Sequence, residues 1–193
     1  MAESSKWRLL IVEDEDSSRD FLTHILAKSS ENQIASARSG NAAITLMKAE
    51  RPFDLILTDI RMLDGNGMEV LRAAKELAPL TEVIIMTGYA SVDTALEAMN
   101  LGAFCYLLKP LKMEEIKLQI QRAKEKISLV MDNHRLHEEL FQEATNSAKT
   151  IEEFLQLMQQ AEKRDVMQKL MTNMEEANRK AKGLLQDRKN ARK

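Results

Sequence analysis

Short runs that are apolar at every position recur through the first 110 residues, at 9–12, 55–57, 83–86 and 105–108, with a weaker one at 33–37. Each is too short for a helix, and a strand with one wet face would alternate polar with apolar residues. Unbroken apolar runs need cover on both faces, which is the condition of strands in a parallel sheet flanked by helices. The segments between them, 17–28, 41–49, 67–76 and 91–101, carry the mixed pattern of amphipathic helices. Ser91 stands as an N-cap, and Gly102 sits where the last of these helices must stop. Strand–helix alternation at this spacing predicts an α/β doubly wound sheet with right-handed crossovers. In such a sheet the loops at the carboxyl ends of the strands converge on one rim.

The polar residues that end the runs therefore matter most. Glu13, Asp14 and Glu15 follow the first, Asp59 the third, Thr87 the fourth, and Lys109 with Pro110 the fifth. Taken singly, an acidic pair is a solvated loop, a Thr is a cap and a Lys-Pro is a turn. Taken together and in order, they put carboxylates, a hydroxyl and an ammonium in one pocket. Neighbouring carboxylates repel, and a hard oxygen-seeking cation such as Mg2+ offsets that repulsion. A carboxylate with a free oxygen can attack phosphorus to give an acyl phosphate, while Lys109 and a metal neutralise the equatorial oxygens. No base is needed, because the carboxylate is already ionised at neutral pH.

The stretches Ile11-Val12-Glu13-Asp14-Glu15, Leu57-Thr58-Asp59-Ile60-Arg61-Met62, Met86-Thr87-Gly88-Tyr89-Ala90 and Leu107-Leu108-Lys109-Pro110 resemble the receiver domain of two-component response regulators over residues 8 to 128. That resemblance implies a flavodoxin-like five-stranded parallel sheet of order 2-1-3-4-5, with a receiver domain over 1–128 and a helical extension over 129–193. It implies that Asp59 accepts a phosphoryl group from a sensor histidine kinase. Mg2+ would be held by Asp14, Asp59 and the Arg61 carbonyl oxygen, with Glu13 acting through water. Thr87 and Lys109 would sense the phosphoryl oxygens, and Tyr106 falls at the family's aromatic switch position. The function implied is a phosphoacceptor switch with self-catalysed phosphotransfer and slow autodephosphorylation, not a turnover enzyme. Arg61 and Tyr89, two residues beyond Asp59 and Thr87, occupy positions that set phosphoryl lifetime in the family. Leu63 replaces the Pro common in the family, and the following Asp64-Gly65-Asn66-Gly67 reads as a flexible turn. Haloacid-dehalogenase-like phosphatases also use an Asp at a strand end, but they need a second Asp where this chain has Arg61.

From Leu111 the grammar changes. Gly and Pro are missing until Gly183, and helix formers dominate. Ile116, Ile120, Ala123, Ile127, Val130, His134, His137, Phe141 and Ala144 follow coiled-coil spacing. Residues 145–150 break that seam, and Thr150 with Glu153 suggests the capping box of a new helix. A second seam, Met167, Leu170, Met174, Ala177, Ala181 and Leu184, precedes a basic end at 188–193. The last receiver helix and the tail are thus expected to form a homodimer, with 151–185 adding hairpins or a bundle. Two other readings stay open: a surface for an unknown downstream protein, or a fragment of a larger regulator whose output domain is absent.

Charge narrows the partners. Twenty-eight Lys and Arg against 30 Asp and Glu give a net charge of -2, which argues against direct nucleic acid or anionic membrane binding. Cys105 is the only cysteine, so no intramolecular disulfide can form. His24 has no metal-ligand spacing to another His or Cys, and His134 and His137 read as polar residues on the coiled-coil seam. No signal segment or spanning run is recognised, so a cytoplasmic location is expected.

Overall fold

Among the described residues five strands and five helices alternate: β1 Trp7–Val12, α1 Asp16–Leu26, β2 Asn32–Ala37, α2 Gly40–Ala49, β3 Leu55–Asp59, α3 Gly67–Leu77, β4 Glu82–Thr87, α4 Val92–Asn100, β5 Cys105–Leu108 and α5 Met113–Asn190. The structure is a computed structural model. It describes residues 6–89 and 91–190, with side chains in that range except at 177, 178 and 181–190. All strands are parallel, in the order β2-β1-β3-β4-β5.

The apolar runs do what two-sided burial demands. Leu10, Val12, Ile56, Val83 and Ile85 pack beneath α2, α3 and α4 on one face, with Val70, Leu71 and Ala98. Leu9, Ile11, Leu55, Leu57, Ile84 and Met86 pack on the other against Leu22 and Ile25 of α1 and Ile116, Ile120 and Ala123 of α5. Successive strand residues thus divide between the two faces, as the two-residue period requires. Ser91 caps α4, its side chain accepting from Thr94 N. Gly102, just past α4, takes a φ of 86°, a conformation that favours glycine.

The turn-rich run before α3 is a built helix start. Asn66 Oδ1 accepts from Met68 N at 2.9 Å and Glu69 N at 3.0 Å, and Glu69 Oε2 accepts from Asn66 N at 3.3 Å. The loop is also tied to α2, where Gly40 N donates to Asp64 O at 2.9 Å and Asn41 Nδ2 to Asp64 Oδ1 at 2.6 Å.

By internal contacts the chain divides into two units, Met1–Asn133 and His134–Lys193. In the first, four members of the expected coiled-coil seam, Ile116, Ile120, Ala123 and Ile127, are buried within the unit's own core. In the second, every described side chain is exposed. The expected break and new helix at 145–153 do not occur, because Met113–Asn190 is one helix. Thr145 and Thr150 donate their hydroxyls one turn back, to Phe141 O at 2.8 Å and Asn146 O at 3.0 Å, so neither acts as a cap. With no Gly or Pro nearby, nothing stops the helix, and no hairpin forms among the described residues. Met167, Leu170 and Met174 are exposed. The Ala177, Ala181 and Leu184 side chains, and the far end of the basic terminus, lie outside the described residues.

Candidate functional site

The carboxyl ends of β1, β3, β4 and β5 do meet. Val12 pairs with Thr58, Asp59 with Met86, and Thr87 with Leu108, so Glu13, Asp59, Thr87 and Lys109 lie at neighbouring strand tips. Glu13, Asp59 and Thr87 are buried, at 1, 7 and 1% exposure. The Lys109 ammonium is shared. It donates to Glu13 Oε2 at 2.7 Å and to Asp59 Oδ2 in a short contact. The other Asp59 oxygen, Oδ1, accepts from Arg61 N at 3.2 Å. Asp14 is placed differently, with its Oδ2 accepting from Leu63 N at 2.9 Å across the loop after β3. Thr87 Oγ1 accepts from Tyr89 N at 3.1 Å. Tyr106, half-buried on β5, has its hydroxyl 3.0 Å from Thr94 Oγ1.

Two features hold Asp59 in place. A Cβ at Gly67 would lie 2.2 Å from Asp59 O, so only glycine lets α3 start this close to the strand end. Arg19, buried on α1, donates to Glu13 O at 3.0 Å and pins the β1 tip. Burial raises the Glu13 carboxyl above its ordinary value, with Lys109 pulling the other way and Asp59 adding repulsion. Burial by itself would lower Lys109, yet its bonds to Asp59 and Glu13 hold the ammonium above its usual range.

Residues 9–121 match the family model described as the response regulator receiver domain. The chain belongs to that family. Among relatives of this receiver, the regulatory protein AtoC of Escherichia coli (strain K12) is 38% identical over 133 residues, 69% of this chain and 28% of that protein. The transcriptional regulatory protein ZraR of Escherichia coli O157:H7 is 38% identical over 114 residues, 59% of this chain and 26% of that protein. The chain thus aligns with little more than a quarter of the length of these curated relatives. A solved receiver domain protein from Clostridium thermocellum is 29% identical with a TM-score of 0.60, covering 64% of this chain and 98% of that one.

The receiver therefore brings together Glu13, Asp59, Thr87 and Lys109, the strand-end residues marked by sequence, while Asp14, on the β1–α1 loop, is held by the Leu63 amide of the β3–α3 loop. Arg61 adds its backbone, and its guanidinium lies 4.9 Å from the centroid of the Tyr89 ring. Sequence reading missed Arg19, Gly67, the Leu63 amide and Thr94. Gly67 alone left a signal, a glycine at the start of a helix, where close backbone approach is one explanation. The other three depend on contacts that no local pattern encodes.

Among the described residues, no group of three or more His, Cys, Asp or Glu side chains could hold a metal ion unaided. Mg2+ does not require one. It suits one or two carboxylates with waters and phosphate oxygens, and the donors at this rim are all hard oxygens. Two carboxylates, Glu13 and Asp59, meet one ammonium, and Asp14, held separately by the Leu63 amide, has no cation paired with it among the described residues, so the rim carries an excess of negative charge that a divalent cation would offset. The residues present fit the ion.

Proposed function

We propose that this receiver accepts a phosphoryl group on Asp59 from a sensor histidine kinase and switches conformation in response. The supporting observation is the state of the Asp59 carboxylate. It is buried at a strand tip, with one oxygen on Lys109 and the other near a backbone amide, in a fold whose relatives are regulators. An Asp59 oxygen forms the new P–O bond as the P–N bond of a phosphohistidine breaks. The electron pair leaves on the imidazole, which takes up a proton from solvent. Lys109 stays protonated and moves its ammonium from carboxylate to phosphoryl oxygen, while the Thr87 hydroxyl leaves Tyr89 N to donate to another. Asp14, Asp59 and the Arg61 carbonyl would hold Mg2+, with Glu13 reached through water. When bound, the ion supplies positive charge against the equatorial oxygens. Arg61 and Tyr89, stacked beside the site, would limit the access of water and so set phosphoryl lifetime.

Tyr106 would follow Thr87 and alter the face formed by α4 and α5. The receiver would occupy 1–128 and the helical extension 129–193. The extension presents Phe141, Ile151, Leu155 and Met158, each more than half exposed, as a stripe for a second copy of the chain. A homodimer through the last receiver helix and the tail would carry the switch to a downstream protein, in the cytoplasm. Among the described residues, no helix is long and apolar enough to cross a membrane.

The test is direct. The chain is incubated with acetyl phosphate and Mg2+ and followed by intact mass. The parent gains one phosphoryl group and Asp59→Asn gains none. A parent that stays unmodified, or an Asp59→Asn variant that gains the group equally, ends this reading.

A further inference from the structure

Tyr106 and the start of α4 share one hydroxyl. Thr94 N donates to Ser91 Oγ at 3.1 Å, while Thr94 Oγ1 accepts from Ser91 N at 3.3 Å and lies 2.9 Å from Ser91 Oγ and 3.1 Å from Ser91 O, either of which can take its proton. A threonine hydroxyl has one proton and two lone pairs. With the proton on one of the two Ser91 oxygens and one lone pair on Ser91 N, the remaining lone pair takes the Tyr106 phenol, whose oxygen is 3.0 Å away. Among the described residues, Thr94 is the only hydrogen-bond partner of that phenol. The Thr94 hydroxyl is thus fully used, and the phenol cannot move inward without giving up this bond.

The surroundings allow movement. Helix α4 buries Ala98 alone, whereas α3 buries Gly67, Met68, Val70, Leu71 and Ala74. Val92, Leu96 and Met99 of α4 are 75, 57 and 50% exposed. A Cβ at Gly88 would meet no heavy atom within 4 Å, so the segment leaving Thr87 is not crowded. A loosely anchored helix whose cap is shared with the switch tyrosine is one whose position the tyrosine can govern.

We propose that Thr94 is a positioning residue whose hydroxyl latches Tyr106 to the N-cap of α4, opposing the passage into the phosphorylated conformation. This rests on the phosphoacceptor reading of Asp59 and goes beyond it, since nothing in the phosphotransfer chemistry calls for a hydroxyl at position 94. Releasing the latch shifts the resting equilibrium toward the form that accepts phosphate. The shift is about fivefold, what one net hydrogen bond supplies.

The test uses the full chain. Thr94→Val keeps the side-chain shape and removes the hydroxyl, whereas Thr94→Ser restores it. With limiting acetyl phosphate and Mg2+, Thr94→Val gains phosphate about fivefold faster than the parent, and Thr94→Ser matches the parent. In a Tyr106→Phe background, which already lacks the latch, Thr94→Val adds nothing. A residue that only caps α4 would leave the rate unchanged or alter it by the same factor in both backgrounds, and either result overturns the proposal. A second readout needs no phosphodonor. The chain has two tyrosines, Tyr89 and Tyr106, so fluorotyrosine labelling gives two resonances that Tyr106→Phe assigns. The Tyr106 signal shifts or broadens in Thr94→Val, and an unmoved signal overturns the latch. If no variant takes up phosphate at all, the Asp59 reading fails, while the Tyr106 signal still decides whether the latch exists.

Discussion

Helix α5 carries one apolar stripe through two unlike surroundings. Ile116, Ile120, Ala123 and Ile127 are 0, 5, 0 and 3% exposed, while Phe141, Ile151 and Leu155, at matching three- and four-residue steps, are 70, 61 and 56% exposed. The spacing alone does not distinguish them. Periodicity reports that a helix has an apolar face and is silent on what covers it. In the first unit the cover is the chain's own sheet. In the second the described side chains are exposed, and a second copy of the chain is the occupant proposed above. The contrast predicts opposite phenotypes for similar truncations. Ile116→Ala removes packing from a filled core and lowers the unfolding free energy of the receiver by about 2–5 kcal/mol. Phe141→Ala shifts that transition by less than about 0.5 kcal/mol, as for a surface site, and instead weakens self-association. Urea unfolding and sedimentation velocity measure the two effects. Equal destabilisation of the receiver by both changes would break the contrast.

Ion pairs sharpen the same comparison at smaller scale. Glu82, whose side chain is 7% exposed, meets Lys126 of α5 at 2.6 Å and Lys75 of α3 at 3.6 Å. Its Oε2 has no hydrogen-bond partner among the described residues, so these two ammonium groups are its ionic contacts. In the second unit, Lys169 and Asp165 pair at 3.1 Å with both side chains at least 70% exposed. Lys126→Met leaves a buried carboxylate with one distant partner. It should cost about 1–2 kcal/mol, a reduced share of a fully buried pair because Lys126 itself is half exposed. Lys169→Met should cost less than about 0.5 kcal/mol. Unfolding curves of the two variants with equal cost would mean that burial does not separate these pairs.

The same distinction explains what was legible in the sequence. The sheet was legible because two-sided burial forces continuous apolar runs, and the rim because a parallel sheet puts the next residues of neighbouring strands side by side. Glu13, Asp59, Thr87 and Lys109 met for that reason. Ser91 and Gly102 were legible as cap and stop because local backbone chemistry decides them. Thr150 with Glu153 has the same grammar as a capping box but sits within an unbroken helix, since a threonine hydroxyl satisfies the carbonyl one turn back equally well. Asn66 was read as part of a flexible turn although it caps α3, because asparagine serves both roles. The Leu63 amide on Asp14 and the Thr94 hydroxyl on Tyr106 link residues 49 and 12 positions apart, and no periodicity carries such contacts. What the sequence left open was the cover on the apolar stripe and the hydrogen bonds that run between elements.

The smallest expected effect concerns protons, and it should arise at the buried rim rather than along an exposed helix. Burial raises the Glu13 carboxyl above its unfolded value, only partly offset by Lys109. The folded chain therefore holds that proton to higher pH than the unfolded chain does. Between the two values the folded state binds more protons, so stability falls as pH rises, and Glu13's favourable contribution is lost through its folded pKa. Glu13→Gln cannot titrate and removes this fall. As pH rises above about 4.5, the ordinary value of this carboxyl, the parent should lose stability relative to Glu13→Gln. Urea unfolding across that window measures the difference. A parent that instead gains stability relative to Glu13→Gln would show that the Lys109 ammonium, 2.7 Å from Glu13, outweighs burial at the β1 tip.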